Sequence, residues 1–245
     1  MTAQSLPSVP KTAMIMAAGL GKRMMPLTAE IPKPLVRVGG VCLIDHVLMH
    51  LRDAEIARII VNVHYRGEQM EQHLAEHAQD FDVTISDERD LLRDTGGGLV
   101  KALPSISSDP FLCVNADNMW TNGPRGNALH TLSQQWDETK MDVLMLVVPL
   151  ERAINSQGRG DFDLDGEGRL SRRIQGQSAS HVWTGIQILS KRLIVDPPSD
   201  VFSTNIFWDR AIADGRCFGC EHDGDWFDVG YPAAVAATEA AMADG

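Results

Sequence analysis

The chain reads as an α/β protein, one domain built on a mostly parallel sheet with helices on both faces. Three observations predict this. Segments of strand character alternate with segments of helical periodicity through the first half. Several of the strands are apolar along nearly their whole length, as expected where both faces of a sheet are covered. The first strand also runs straight into a glycine loop, and in parallel sheets ligands sit beyond the carboxyl ends of the strands.

Residues 12–17 are the first apolar strand. Residues 43–55 carry Leu43, Ile44, Val47, Leu48 and Leu51 at helical spacing, a core helix. His46 and His50 lie four apart on it and could mimic a metal pair, but the apolar stripe favours two partly exposed histidines. A strand over 58–63, a helix over 68–78 and a strand over 83–86 follow. A helix over 97–103 then precedes a strand over 111–115, and 142–148 is another nearly continuous apolar strand. Segments 160–164 and 169–172 flank Asp165-Gly166-Glu167-Gly168, a hairpin signal. A strand over 182–189, a helix over 201–214 and a strand over 217–222 come next. A short segment over 226–229 leads into a final helix over 232–242. No linker and no internal repeat divides the chain, so 1–245 is expected to be one domain, with 1–11 a flexible polar tail. In particular no hexapeptide array follows, so no fused β-helix is expected.

At 245 residues the chain can bury a full core. Its net charge of −11 argues against a nucleic-acid or anionic-membrane partner, since such surfaces need a basic patch. Residues 1–11 hold no apolar signal-peptide region, and no apolar run approaches membrane-spanning length, so a cytoplasmic protein is expected. Four scattered cysteines make no disulfide framework. Cys217 and Cys220 form a lone C-x-x-C, read as ordinary strand residues.

The chemistry begins at Gly19 and Gly21, followed by Lys22 and Arg23, with Lys33 held between Pro32 and Pro34. Glycines let backbone N–H groups approach an anion, and the cations neutralise it, so a polyphosphate is expected here. A dinucleotide fingerprint would need glycine where Met24 stands. A Walker A loop would need glycine at Met16 and a hydroxyl residue at Arg23. Asp117, at the end of the 111–115 strand, and Asp228 would share a hard cation such as magnesium if the fold brings them together; alone, each is as readily a turn or helix-capping aspartate. Gly96, Gly97 and Gly98 open a helix; they would let a flat ring lie against backbone or, alternatively, the helix pack closely on the sheet.

The run G-x-G-x-R-x-x-P-L-T from Gly19 to Thr28, then Pro32-Lys33-Pro34, resembles the sugar-1-phosphate nucleotidyltransferase family. The resemblance extends over nearly the whole chain. Asp94-Thr95-Gly96-Gly97-Gly98, Gly158-Arg159-Gly160-Asp161-Phe162 and Trp226-Phe227-Asp228-Val229-Gly230 bring it nearest to the uridylyltransferase branch acting on N-acetylmuramate 1-phosphate. It implies a Rossmann-like nucleotidyltransferase fold with a small sugar-binding insertion. The implied reaction joins UTP and a sugar 1-phosphate into a UDP-sugar and pyrophosphate, in peptidoglycan recycling. Arg23 and Lys33 would then contact the phosphates, and Asp117 and Asp228 would hold Mg2+. Ala17, Ala18, Gly19, Gly21, Lys22, Gly96 and Gly97 would border the nucleotide, with Asn115, Gly160, Asp161 and Gly185 on the sugar side. The Glu-Lys-Pro motif of glucose-1-phosphate members is absent, for Leu170-Ser171-Arg172-Arg173-Ile174 stands there. Arg159, Arg172 and Arg173 become candidates for the lactyl carboxylate of muramate. Alternatives are a mannose- or heptose-1-phosphate guanylyltransferase, a cytidylyltransferase for a small phosphorylated alcohol, and a catalytically silent nucleotide-sugar sensor.

Overall fold

Strands of Ile, Val, Met and Leu with no polar face need cover on both sides, and here they have it. The computed structural model describes residues 9–243. Of the expected tail, residues 1–8 lie outside the described residues; Val9 packs against the core and Pro10 is buried. Strands β1 (Thr12–Met16), β2 (Arg58–Val63), β3 (Asp82–Asp87) and β4 (Phe111–Asn115) are parallel, in the order β4-β1-β2-β3. Helices α1 (Leu43–Asp53), α2 (Gly67–His77) and α3 (Asp94–Ala102) make the successive crossovers.

The second half widens the same sheet to nine strands. It supplies β5 (Val143–Pro149), the hairpin β6 (Phe162–Leu164) and β7 (Leu170–Arg172), β8 (His181–Leu189) and β9 (Cys217–Glu221). β8 runs antiparallel to β4, β5 and β6, while β9 is parallel to β5. Helices α4 (Ala128–Gln135), α5 (Asn205–Ala213) and α6 (Pro232–Ala243) complete the chain. A small second sheet pairs Trp226–Phe227 with Met119–Trp120 and with Ala153–Ile154. Through it the far C-terminal segment is tied to the end of β4.

Successive strand residues point to opposite faces. Ile15, Val61 and Val114 therefore pack under α1 and α4, while Met14, Ile60 and Cys113 pack under α3 and α5. Cys217 and Cys220 follow the same rule. Three positions apart on β9, they fall in different core clusters, so the C-x-x-C is two buried strand residues. A third cluster, with Met24, Val36, Leu43, Met119, Phe227 and Val229, lies beneath the loops that carry the candidate site. Each such buried side chain contributes on the order of 1.5–3 kcal/mol, which anchors those loops.

Some elements differ from the pattern reading. α4 and the two-residue hairpin Arg37–Val38 with Val41–Cys42 have no clear periodic signal. α4 is fixed instead by its cap, Asn127 Oδ1 accepting from Leu129 N at 2.9 Å and His130 N at 3.2 Å. α3 begins three residues before the predicted start, so its glycines lie inside the helix. His46 and His50 form no metal pair, because each ring hydrogen-bonds a backbone carbonyl, of Val38 and Trp120 respectively. Among the described residues no helix is long and apolar enough to cross a membrane.

Candidate active site

The glycine loop leaves β1 at the carboxyl edge of the sheet. Gly21 has φ +62°, a conformation that side chains rarely adopt, and its carbonyl accepts from Thr28 Oγ1 at 2.9 Å. A Cβ there would also meet Lys33 Cβ at 3.1 Å, so the loop folds back onto the Pro32-Lys33-Pro34 turn. Met24 is wholly buried and pins the loop, leaving Lys22 and Arg23 exposed at the site. Pro32 and Pro34 are both buried and hold the backbone of half-buried Lys33. Its Nζ lies 2.5 Å from Asp117 Oδ2.

The other two chemical groups arrive from distant segments. Asp117 follows β4, and Asp228 follows the strand Trp226–Phe227, with its N–H donating to Ile154 O at 2.9 Å. A Cβ on Gly230 would lie 2.7 Å from Asp228 Oδ1 and 3.5 Å from Arg23 Nη1, so those two side chains converge over bare backbone. Burial pushes the Asp228 carboxyl above its usual range. The cations Lys33 and Arg23 oppose that rise, and the neighbouring charges of Asp117 and Asp161 add to it. Carboxylates crowded in this way suit a divalent cation, since hard oxygen donors are its natural ligands.

Two cavities meet at Asn115 and Asp117. The first, about 420 Å³, holds Arg23, Lys33 and Asp228 at one end. Its walls come from Asn118, the 156–158 loop, Gly160, Asp161 and Gly185. The second, about 450 Å³, is less polar and is bordered by Ala18, Gly19, Leu92, Asp94, Thr95 and Val201, with Asn62 and Glu88 among its lining residues. A cleft along Gly19–Arg23, Lys33 and Gly230 connects with both through Asp117. A more polar lobe and a less polar one thus join where the cations and carboxylates stand.

The residues that wall the polar lobe hold their places for definable reasons. Gly160 has φ +78°, and a Cβ there would come within 2.4 Å of Ala179 O. Asp161 Oδ2 accepts from Trp183 N at 3.0 Å. Gly185 has φ +84° and sits against the amide groups of Asn115 and Asn118. Asn118 is buried; its Oδ1 accepts from Trp226 Nε1 at 3.4 Å, while its Nδ2 has no protein partner.

Two expectations are corrected by this geometry. The N–H groups of Gly96 and Gly97 donate to Phe202 O, at 2.8 and 3.1 Å. A Cβ on Gly96 would strike the Phe202 ring, and one on Gly97 would strike Asp200 O. These glycines let α3 pack closely, and the cavity edge is made by Asp94 and Thr95 instead. Two of the arginine candidates for a lactyl carboxylate are engaged elsewhere. Arg172 is bound to Asp209 at 2.8 Å and lies over Phe162, and Arg173 donates to Gln177 O. Neither Arg172 nor Arg173 lines the polar cavity, whereas Arg159 stands between Gly158 and Gly160, which do. Pattern reading also missed Asn118, Ser156, Gln157 and Asn62. Of these only Asn62 carried a signal, a polar residue inside an apolar strand.

The nucleotidyl transferase family profile matches residues 12–169. The chain is 37% identical over 238 residues to the N-acetylmuramate alpha-1-phosphate uridylyltransferase of Caulobacter vibrioides, covering 96% of this chain and 98% of that protein. It is 29% identical over 221 residues to the protein of the same name from Neisseria meningitidis, covering 89% and 92%. Among solved structures, HddC from Yersinia pseudotuberculosis complexed with GMP-PN matches with TM-score 0.76 at 21% identity, over 94% of this chain and 99% of that one. That last likeness bears on the fold alone.

Proposed function

Because the chain belongs to the nucleotidyl transferase family, we propose that it transfers the uridylyl group of UTP to N-acetylmuramate 1-phosphate, releasing pyrophosphate. The observation that carries the reaction is the meeting of two cavities at Asp117, with Lys33, Arg23 and Asp228 around the junction. The choice of substrates is supported by the identity to the Caulobacter protein along almost the entire length of both chains.

In this reading the base lies in the less polar lobe, beside Leu92, Asp94, Thr95 and Val201, and the triphosphate follows the Ala18–Arg23 loop. The sugar occupies the polar lobe near Asn115, Gly160, Asp161 and Gly185. Its phosphate oxygen is already anionic, so attack on the α-phosphorus needs no general base and no covalent enzyme intermediate. The barrier is the approach of two polyanions, which fixed cations and positioning lower. Lys33 is a compact ammonium on a braced turn, suited to an oxygen whose charge changes as the bond forms. Arg23 offers a planar fork, suited to the departing β- and γ-phosphates. Asp117 and Asp228 would hold Mg2+, which when bound supplies charge neutralisation and polarisation at the phosphate. A cytoplasmic role in peptidoglycan recycling, where UTP is at hand, accompanies this reading.

Mass spectrometry of the products tests it. With Mg2+, UTP and N-acetylmuramate 1-phosphate, the expected product is UDP-N-acetylmuramate with one pyrophosphate. Faster formation of a GDP-sugar from GTP and mannose 1-phosphate would overturn the substrate assignment.

A further inference from the structure

We propose that Asn62 and Glu88 are a positioning pair for the nucleotide, a buried hydrogen-bonded bridge that holds the start of the glycine loop and the 93–95 turn in register. The proposal rests on the reading that the less polar lobe receives the nucleotide.

Asn62 is 2% exposed and interrupts the apolar strand β2; Glu88 follows β3 and is 0% exposed. Ala17 N–H donates to Asn62 Oδ1 at 2.6 Å. Asn62 Nδ2 donates to Glu88 Oε1 at 2.7 Å, and Arg93 N–H donates to Glu88 Oε2 at 3.2 Å. One end of this relay is the residue that begins the glycine loop, and the other is the residue before α3. Ala18 and Gly19 border the cavity on one side, Asp94 and Thr95 on the other. Helix α3 closes the relay from above, since a Cβ on Gly98 would lie 2.6 Å from Glu88 Oε1 and 3.0 Å from Asn62 Nδ2. The third glycine of the triple therefore makes room for this pair.

The arrangement is costly, which bears on its role. A buried carboxylate whose recorded partners are neutral donors loses solvation that such bonds only partly replace. Apolar side chains would fill the volume at lower cost. What the polar pair adds is direction, because each bond fixes both the distance and the angle between two loops that no strand pairing joins at that level. Glu88 is itself held, its N–H donating to Val63 O at 2.8 Å and its carbonyl meeting His64 Nδ1 at 2.7 Å.

The donor order makes the proposal testable by exchange. In Glu88→Gln, the new NH2 group must face either Asn62 Nδ2 or Arg93 N–H, and no amide flip removes the mismatch without creating another at Ala17. In Asn62→Asp, two carboxylates face each other. In the double variant Asn62→Asp/Glu88→Gln, every position is matched again with the same net charge. Ala17 N–H donates to the aspartate, the glutamine NH2 donates to its second oxygen, and Arg93 N–H donates to the glutamine carbonyl.

The experiment measures nucleotide Kd by calorimetry, KM for both substrates and thermal unfolding, in wild type, both single variants and the double variant. The nucleotide is whichever of UTP, GTP, CTP and dTTP the wild type binds most tightly. Each single variant is expected to weaken nucleotide binding at least about tenfold, with the sugar-phosphate KM changed by less than about threefold, and the double variant to recover most of the loss. Lower unfolding temperatures with unchanged Kd would reduce the pair to a structural role and overturn the proposal, as would a double variant no better than the singles. If the single variants do not fold, a double variant that folds with wild-type Kd shows only that the fold needs the pair, so Glu88→Asp decides. It keeps the charge and both acceptors on a side chain one methylene shorter. A folded Glu88→Asp with nucleotide Kd weakened at least about tenfold supports the proposal, and an unchanged Kd or failure to fold contradicts it. A wild type that binds none of the four nucleotides would refute the functional reading itself, a separate result.

Discussion

Replacing Gly185 with alanine tests how finely the sugar lobe is built. Gly185 has φ +84°, where an L side chain costs about 1–2 kcal/mol. Its new methyl would lie 2.7 Å from Asn118 Nδ2 and 2.8 Å from Asn115 Nδ2, so both amides must retreat by several tenths of an ångström. Asn118 is buried, with Oδ1 3.4 Å from a Trp226 Nε1 whose shorter bond is to Thr184 O at 3.0 Å, and displacing the two amides costs about 1 kcal/mol. The total of about 2–3 kcal/mol corresponds to roughly 30- to 150-fold in an affinity. Initial-rate kinetics with each substrate varied in turn should show the sugar-phosphate KM rising by about tenfold to 100-fold, since part of the cost falls on stability. The UTP KM should stay within about threefold, because Gly185 lines only the polar lobe. The unfolding temperature should fall by about 4–10 °C. An equal rise in both KM values would refute the separation of the two lobes. Unchanged kinetics would show that the Asn115 and Asn118 amides do not face the sugar.

Other expectations are more briefly put. Lys33→Ala, Asp117→Ala and Asp228→Ala should each lower turnover by at least about 100-fold in a folded protein, the scale for losing one transition-state contact; near-normal turnover removes that residue from the mechanism. The thiols should be inert to a disulfide reagent in the native state, because burial pushes Cys113 and Cys217 up to about 12 and Cys220 to about 11. A fast-reacting thiol at 217 or 220 would contradict the packing described. Burial raises the Asp45 carboxyl, but the hydrogen bond and charge of His73, with His77 and Arg37 beyond, outweigh it and hold the group below 3.8. A lowered carboxylate contributes stability above its unfolded pKa and loses it as pH falls through the folded one. Denaturant unfolding of wild type against Asp45→Asn should therefore show a gap that is full above about pH 4 and closes under more acid conditions. A gap independent of pH would dismiss the His73 interaction as its source.

Local patterns carried the parallel half of the fold well. Apolar runs such as 58–63 and 111–115 read as buried strands, and the glycine loop followed by Pro32-Lys33-Pro34 marked the cleft that gathers the cations. The remainder depends on contacts far apart in sequence. Asp117 and Asp228 could each be a turn aspartate until the pairing of Trp226–Phe227 with Met119–Trp120 brings them together. Gly96 and Gly97 look like a ligand loop because glycine answers any close approach; their partners here are Phe202 and Asp200, about a hundred residues away. Arg172 was attractive as a free cation only while Asp209 and Trp208 on α5 were not seen beside it. Asn62 stands out as a polar residue in an apolar strand, but its partner Glu88 is visible only in the fold.

The most direct measurement of the central claim is pyrophosphate release with Mg2+, using UTP, GTP, CTP and dTTP against N-acetylmuramate, N-acetylglucosamine, glucose and mannose 1-phosphates. The account predicts turnover with UTP and N-acetylmuramate 1-phosphate well above every other pair, abolished in Asp117→Ala. A preference for GTP with mannose 1-phosphate, or no release from any pair, would contradict it.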